Sequence, residues 1–201
     1  MQKSIAYLKI MCYNNRILQS DRKETDTMAV FSPGYYYDNV TMIPASLFKE
    51  LGIRAVVLDI DNTLVTYDDP KPTPTAAAFL KMLTDNGISV AFLSNNGPER
   101  VTEFNKELGF PFLYKGHKPL TGKLKKLIAE MKATPKTTMM IGDQIFTDIC
   151  CGNFGGTHTL LVRPIKDKLT PFFRFKRFLE KPILHRFKKK YPERCFLDKE
   201  N

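Results

Sequence analysis

Short apolar runs alternate along the chain with longer stretches of mixed, helix-like composition. The apolar runs are rich in β-branched residues and indicate five buried strands, at 55–60, 88–94, 112–114, 137–143 and 157–162. The other stretches predict helices over 44–52, 73–87, 98–108 and 119–132. Strands separated by helices favour a parallel sheet that is covered on both faces. The pattern therefore predicts an α/β fold with a five-stranded parallel sheet.

The same pattern divides the chain into three parts. Its 201 residues suit one domain, and 43% hydrophobic with 26% charged residues is typical of globular proteins. Residues 1–27 are polar and weakly patterned, so we expect a flexible N-terminal extension before a domain over 28–163 and a C-terminal extension over 164–201. Because no apolar run reaches about 18 residues and the first residues lack the features of a secretory signal, we expect a cytoplasmic location.

The net charge of +10 is concentrated at one end of the chain. From Arg163 to Asn201 the sequence holds thirteen Lys and Arg against five Asp and Glu, a balance of +8, so the remainder carries only +2. A basic segment attached to a nearly neutral body points to an anionic partner. The candidates are a membrane surface and nucleic acid.

Residues 164–192 combine aromatic and basic side chains with helical spacing. Two short amphipathic helices are predicted, one after Pro171 and one after Pro182. Their apolar positions are Phe172, Phe175, Leu179, Ile183, Leu184, Phe187 and Tyr191. Such helices suit the plane of an anionic membrane, where each nearby basic residue contributes about 1 kcal/mol. The alternative is that the aromatic residues pack on the domain, whereas a nucleic-acid interface is disfavoured because no recognition motif accompanies the charges.

Polar residues that can act on a phosphate stand where the predicted strands end. Asp59 and Asp61 end the first strand, Ser94 ends the second, and Asp143 ends the fourth. Lys118 lies in the loop after the third strand. Ligands of parallel sheets bind outside the carboxyl ends of the strands, so we expect these residues to meet at one site.

This set of residues meets the requirements of phosphate monoester hydrolysis. Asp59 can attack phosphorus and form an acyl phosphate, which splits one difficult step into two. Asp61 can protonate the leaving oxygen and later deprotonate the water that cleaves the intermediate. Ser94 and backbone N–H groups can bind phosphoryl oxygens, and Lys118 can neutralise negative charge. Adjacent carboxylates repel unless a cation joins them, and Mg²⁺ suits a site formed by Asp59, the backbone carbonyl of Asp61, and Asp143.

The segments DIDNT, SNN, HKP and GDQIFTD, in this order, resemble the four motifs of the haloacid dehalogenase (HAD) superfamily over residues 55–162. The resemblance implies a Rossmann-like HAD fold, and the second aspartate of the first motif favours phosphatases over dehalogenases. It also implies that Thr63 steadies the first loop and that Asp148 is a supporting acid outside the direct metal ligands. Asn95, next to Ser94, is grouped with the phosphate-binding or supporting residues, and shaping of the loop is its alternative role.

The spacing of the motifs leaves no room for an additional cap domain. Asp59 and Ser94 are 35 residues apart, and Ser94 and Lys118 are 24 apart, which is enough for one helix with its loops in each case. A separate domain needs at least about 50 residues. The chain thus resembles the capless HAD subfamily III. Because an open cleft does not exclude water by itself, the resemblance implies a large substrate or closure by homo-oligomerisation.

Within that subfamily, the SNN and GDQIFTD motifs and the basic extension resemble the YqeG-type branch of subfamily IIIA, which is related to phosphatidylglycerophosphate phosphatases. The resemblance implies removal of the terminal phosphate of phosphatidylglycerophosphate, and the basic extension over 164–192 adds the expectation of a peripheral position at the inner face of the membrane. One alternative is a soluble phosphatase for a sugar phosphate or nucleotide. A second is a non-catalytic protein that binds RNA or another partner, against which the intact pair Asp59 and Asp61 argues.

Overall fold

A computed structural model describes residues 29–166 and 170–198, and the predicted extension over residues 1–27 lies outside this range. A parallel sheet crosses the described part of the chain in the order β4-β3-β2-β5-β6-β1-β7. Its strands are β1 Tyr35–Tyr37, β2 Ala55–Leu58, β3 Ser89–Leu93, β4 Phe112–Leu113, β5 Thr138–Gly142, β6 His158–Val162 and β7 Cys195–Phe196. All neighbouring strands pair in parallel, so the carboxyl ends of the strands lie at one edge.

Helices cover both faces of this sheet. They are α1 Ala45–Glu50, α2 Pro74–Asp85, α3 Pro98–Asn105, α4 Gly122–Glu130, α5 Cys150–Gly155 and α6 Pro171–Lys190, and a π-helix at Ile145–Ile149 leads into α5. Successive residues of β2 point to opposite sides. Val56 packs in the cluster that contains residues of α1, α2 and α3, whereas Val57 packs with residues of α4. Burial on both sides explains why the central strands are apolar without alternation.

Local signals set the limits of the helices. Pro74 occupies the first turn of α2, and the Thr73 side chain accepts a hydrogen bond of 3.2 Å from the N–H of Ala76. A hydroxyl at this position satisfies one of the unpaired N–H groups of the first turn. Pro98 likewise occupies the first turn of α3, although the preceding Gly97 has no side chain to cap it.

The predicted number of five strands was wrong, because the sheet has seven parallel strands in the described part of the chain. The two additional strands, β1 and β7, contain three and two residues. Neither is long enough to show a periodic pattern. β1 pairs with β6 on one side and with β7 on the other, so the C-terminal residues extend the sheet.

The prediction of two short helices after Pro171 and Pro182 was also wrong, since one helix, α6, contains Pro182 in its interior. Proline removes one backbone hydrogen bond, which here would have gone to the carbonyl of Phe178. Phe178 is 67% exposed, so solvent can hydrate this carbonyl. None of the helices in the described residues is both long and apolar enough to cross a membrane.

The two halves of α6 have different surroundings. In its second half, Phe187 is buried, and Ile183 and Leu184 pack beside it in a cluster that also holds Tyr36, Ile145, Ile149 and Leu161. In its first half, three large apolar side chains, Phe175, Phe178 and Leu179, are exposed to solvent. The domain therefore covers the apolar face of the second half and leaves that of the first half open.

Candidate active site

The first loop of the site turns sharply after β2. The N–H of Asp59 donates to the carbonyl of Ile141 on β5, at 2.9 Å, which continues the sheet pairing to the strand end. Asn62 then adopts a left-handed conformation with φ of 63°, and its N–H donates to the carbonyl of Val65 at 2.7 Å. Asparagine tolerates this conformation better than most residues. The turn allows the side chains of Asp59 and Asp61 to line the same cavity.

Asp61 is held in place by side chains from α3 and from the loop before it. Arg100 donates from Nε to Asp61 Oδ1 at 2.9 Å, and its Nη2 lies 2.8 Å from the same oxygen. The side-chain amide of Asn96 donates to the other carboxylate oxygen. Arg100 also donates to the carbonyls of Thr66 and Asp69, which fastens the first loop to α3. The Asp61 carboxylate thus has a fixed position at the edge of the cavity.

Lys118 lies inside the site and is almost completely buried. Its Nζ is 2.8 Å from Asp59 Oδ1 and 2.6 Å from Asp148 Oδ1. Burial acts to lower the pKa of Lys118, but the carboxylates of Asp148 and Asp59 outweigh it and raise the pKa. Asn95 fixes the lysine backbone, since its Oδ1 accepts from the N–H of Lys118 at 2.8 Å. The candidate residues Asn95 and Lys118 are therefore in direct contact.

Ser94 and Thr63 are both buried at this edge of the sheet. Ser94 lines the cavity, and its Oγ accepts a hydrogen bond of 3.1 Å from the N–H of Asn96. The hydroxyl of Thr63 has no hydrogen-bond partner among the described residues. Thr63 belongs to the first motif and Ser94 to the second, and their buried positions are compatible with the supporting roles predicted for them. Those roles remain predictions.

The fourth motif forms the π-helix that follows β5. Gly142 ends β5, and a Cβ atom at this position would lie 2.3 Å from Cγ of Asp148. The absence of a side chain at Gly142 therefore makes room for the Asp148 carboxylate, whose Oδ2 accepts from the N–H of Gln144 at 3.0 Å. π-helical turns of this kind are frequent at functional sites.

Three buried carboxylates converge beneath the cavity. One oxygen each from Asp59, Asp143 and Asp148 lies within 4.8 Å of the other two. Burial raises the pKa of Asp59 to about 8 against the influence of Lys118, and burial raises the pKa of Asp143 to about 7 against that of Arg177. Buried carboxylates resist ionisation unless cations compensate them. The all-oxygen ligand set of these three acids fits a divalent cation such as Mg²⁺, which would stabilise the ionised carboxylates.

The helix α6 reaches this cluster from the C-terminal part of the chain. Arg177 forms an ion pair with the Asp143 carboxylate and donates from Nη1 to the Asp143 carbonyl at 2.6 Å. The same guanidinium lies 2.8 Å from Glu180 Oε2. Glu180 is buried, and its Oε1 accepts from the N–H of Ile145 at 2.8 Å and from that of Phe146 at 3.4 Å. The helix thereby holds both the acid Asp143 and the start of the π-helix.

A cavity of about 340 Å³ lies above these acids. Its walls come from the loops after β2, β3 and β5, from the loop that carries Lys118, and from the first half of α6. The lining residues are Asp59, Asp61, Tyr67, Ser94, Asn95, Asn96, Lys118, Gln144, Thr147, Phe173 and Lys176. The cavity thus brings Asp59, Asp61, Ser94, Asn95 and Lys118 together, whereas Asp143 and Asp148 lie in the buried cluster below.

Sequence reasoning missed Arg100, Arg177 and Glu180. Arg100 follows Asn96 at a spacing of four residues across the start of α3, and two positions so spaced lie on the same side of a helix. This spacing is the signal that could have placed Arg100 beside the site. Arg177 and Glu180 carry no comparable signal, because their contacts with Asp143 and Ile145 join positions at least 34 residues apart.

Glu180→Ala is expected to lower the free energy of unfolding by about 2–4 kcal/mol, because it leaves the N–H groups of Ile145 and Phe146 without their acceptor and removes one of the two acids that pair with Arg177. Urea unfolding followed by circular dichroism measures this change. The control is Glu130→Ala, an exposed residue at the end of α4, which we expect to stay within about 0.5 kcal/mol of wild type. Equal changes in the free energy of unfolding for the two variants would contradict a stabilising role of the contacts that Glu180 makes with Ile145 and Arg177.

The fold and the site define a haloacid dehalogenase-like hydrolase, and the chain belongs to this family. The model for haloacid dehalogenase-like hydrolases matches residues 65–149. The curated protein "Probable phosphatase YqeG" of Bacillus subtilis (strain 168) is 35% identical over 160 residues, which cover 80% of this chain and 93% of that protein. With a hydrolase domain and a phosphatase as a relative, the chain is an enzyme of the phosphatase type.

Two further comparisons give weaker similarity. Phosphatidylglycerophosphate phosphatase 1, chloroplastic/mitochondrial, of Arabidopsis thaliana is 28% identical over 154 residues, which cover 72% of this chain and 44% of that protein. The solved structure of the cobalt-bound deoxy-D-mannose-octulosonate 8-phosphate phosphatase YrbI of Haemophilus influenzae is 19% identical and has a TM-score of 0.46, covering 69% of this chain and 91% of that one.

Proposed function

We propose that this phosphatase removes the terminal phosphate of phosphatidylglycerophosphate at an anionic membrane surface. The observation that carries the proposal is the first half of α6, which lines the catalytic cavity with Phe173 and Lys176 and exposes Phe175, Phe178 and Leu179 to solvent. One helix thus borders the cavity and presents an apolar surface. The name of the plant relative supplies the lipid, a glycerophospholipid that carries a terminal monoester.

The reaction proceeds in two displacements at phosphorus. A carboxylate oxygen of Asp59 attacks, and the bond from phosphorus to the glycerol oxygen breaks while Asp61 donates a proton to that oxygen. Asp61 then accepts a proton from a water molecule, whose oxygen attacks the phosphorus of the aspartyl phosphate. Inorganic phosphate leaves, and the Asp59 carboxylate is restored. The contacts from Arg100 and Asn96 keep Asp61 in position for both proton transfers.

Mg²⁺ would be held by Asp59, the backbone carbonyl of Asp61, and Asp143, and when bound it would neutralise charge on the phosphoryl group. Asp148 supports this set through its ion pair with Lys118. Ser94 binds a phosphoryl oxygen, Asn95 fixes the loop of Lys118, and Thr63 steadies the first loop. The proposal is supported by Ser94, Asn95 and Lys118 lining the cavity and by Asp59, Asp143 and Asp148 meeting in the acid cluster, while the role of Thr63 is carried over from the motif it belongs to.

Phosphate release from a panel of substrates tests the function. We expect the full chain with Mg²⁺ to hydrolyse phosphatidylglycerophosphate in mixed micelles at least about tenfold more efficiently than sugar phosphates or nucleotides, and EDTA to abolish the activity on all of them. A preference for a soluble monoester would instead favour a soluble phosphatase. Hydrolysis of none of them would favour the non-catalytic alternative.

The membrane surface is tested by co-sedimentation with vesicles that contain phosphatidylglycerol. Replacing Phe175, Phe178 and Leu179 together by serine removes the exposed apolar surface, and we expect it to lower the partition coefficient at least about tenfold, because each buried apolar side chain contributes about 1.5–3 kcal/mol. The matched control is Phe154→Ser, which removes an aromatic ring that is 58% exposed on α5. Equal binding of the triple variant and the control would contradict membrane docking through α6.

A further inference from the structure

The catalytic cavity contains a second lysine, Lys176 of α6, in addition to Lys118. Lys176 is half-buried, and its Nζ donates a hydrogen bond to Oε1 of Gln144. The same Nζ lies 5.8 Å from the centre of the Phe173 ring. Both neighbours also line the cavity, so the ammonium group is fixed at the wall that α6 contributes.

The two lysines differ in how their charge is compensated. Lys118 is in contact with two carboxylates, those of Asp59 and Asp148. Within the described residues, Lys176 forms no ion pair, and the partners it has are the neutral amide of Gln144 and an aromatic ring. A partly desolvated ammonium group with neutral partners retains its attraction for an anion. Among the residues that the structure describes, Lys176 therefore gives the cavity a positive charge that no carboxylate in contact with it neutralises.

We propose that Lys176 forms a second anion subsite, which selects phosphate monoesters that carry another phosphate group a few bonds away. This proposal deepens the proposed function and rests on it for the lipid. In phosphatidylglycerophosphate, a three-carbon glycerol unit separates the terminal monoester from the phosphodiester. Asp59 and Lys176 line the same cavity, so in this proposal the monoester lies at Asp59, the phosphodiester binds Lys176, and the acyl chains extend toward the exposed apolar residues of α6.

A different role for Lys176 would be structural. Its partner Gln144 directly precedes the π-helix, and the N–H of Gln144 donates to Asp148. If Lys176 only positioned this loop, replacing it would slow the hydrolysis of every substrate by a similar factor, mainly by lowering kcat. A subsite for a second phosphate instead affects the substrates that carry one, mainly through KM.

The experiment compares kcat/KM for a pair of soluble substrates, glycerol bisphosphate and glycerol 3-phosphate. It also includes a short-chain phosphatidylglycerophosphate below its critical micelle concentration, so that membrane binding does not contribute to the measured kcat/KM. The variants are Lys176→Gln and Lys176→Arg, with Lys125→Gln as control because Lys125 is exposed on α4. The measured quantity is the ratio of kcat/KM for the substrate with two phosphates to that with one.

We expect Lys176→Gln to lower this ratio at least about fivefold through KM, as the loss of a charge-assisted hydrogen bond predicts. Lys176→Arg is expected to retain most of the preference, and Lys125→Gln all of it. An unchanged ratio, or equal loss on both substrates through kcat, would overturn the proposal while leaving the phosphatase function intact. If the ratio falls but the wild type does not hydrolyse the short-chain lipid, the subsite stands and the lipid assignment fails.

Discussion

Asp59→Asn is expected to lower kcat for p-nitrophenyl phosphate with Mg²⁺ by at least about 10⁴-fold, the scale on which enzymes lose activity with their nucleophile. An amide oxygen of asparagine is a poor nucleophile and gives no acyl phosphate. Asp59 is the acid at the end of β2 that lies both in the cavity and in the carboxylate cluster. Its replacement by asparagine therefore removes the proposed attacking carboxylate and one of the three negative charges that the acid cluster can carry.

The loss of activity in Asp59→Asn must be distinguished from a loss of folded protein. Asparagine has the shape of aspartate, and Lys118 keeps the Asp148 carboxylate at 2.6 Å, so we expect a thermal midpoint close to that of wild type. The control is Asp68→Asn, whose acid is 72% exposed and pairs with Lys166 at the surface. It is expected to change kcat less than about twofold, as for most exposed ion pairs. A kcat of the Asp59→Asn variant within tenfold of the wild-type value would contradict the role of Asp59 as the nucleophile.

Asp61→Asn is expected to show the second large effect, and its size should depend on the leaving group. General acid–base catalysis contributes about 10²–10⁴-fold. With glycerol 3-phosphate, whose alkoxide needs a proton, we expect a loss near the upper end of this range. p-Nitrophenolate leaves without a proton, so with p-nitrophenyl phosphate only the second step should be slow, and stopped-flow measurements should show a burst of p-nitrophenolate.

The dependence on the leaving group is the diagnostic part of this result. Asn96→Ala provides a comparison, because Asn96 donates to Asp61 without taking part in proton transfer. It is expected to shift Asp61 and to reduce kcat on both substrates by a smaller and similar factor. Equal losses on the two substrates for Asp61→Asn, without a burst, would contradict proton transfer by Asp61.

The order of strands and helices over residues 55–162 could be predicted because each element carries its own signal. Fully buried strands such as β2 are apolar throughout, and helices such as α2 begin at a Thr-Pro pair. The candidate residues Asp59, Ser94 and Asp143 follow these strands directly. Since the carboxyl ends of parallel strands meet at one edge, their proximity required no knowledge of distant contacts.

The contribution of the C-terminal part could not be predicted, because it depends on long-range packing. β1 is a strand through its pairing with β6, and β7 is a strand through its pairing with β1. Pro182 indicated a helix boundary, yet packing around Phe187 maintains a single helix past it. The contact between Arg177 and Asp143 follows from that docking. A basic residue of an amphipathic helix gives no sign in the sequence that it pairs with a buried acid.

Mass spectrometry of an acid-quenched reaction tests the central claim most directly. The Asp61→Asn variant is mixed with p-nitrophenyl phosphate and Mg²⁺, quenched during the burst, and digested. A single phosphoryl group on the side chain of Asp59, lost upon treatment with hydroxylamine and missing in the Asp59→Asn variant, is the predicted result. A burst of p-nitrophenolate with the phosphoryl group on another residue, or with no labelled peptide, would contradict the account.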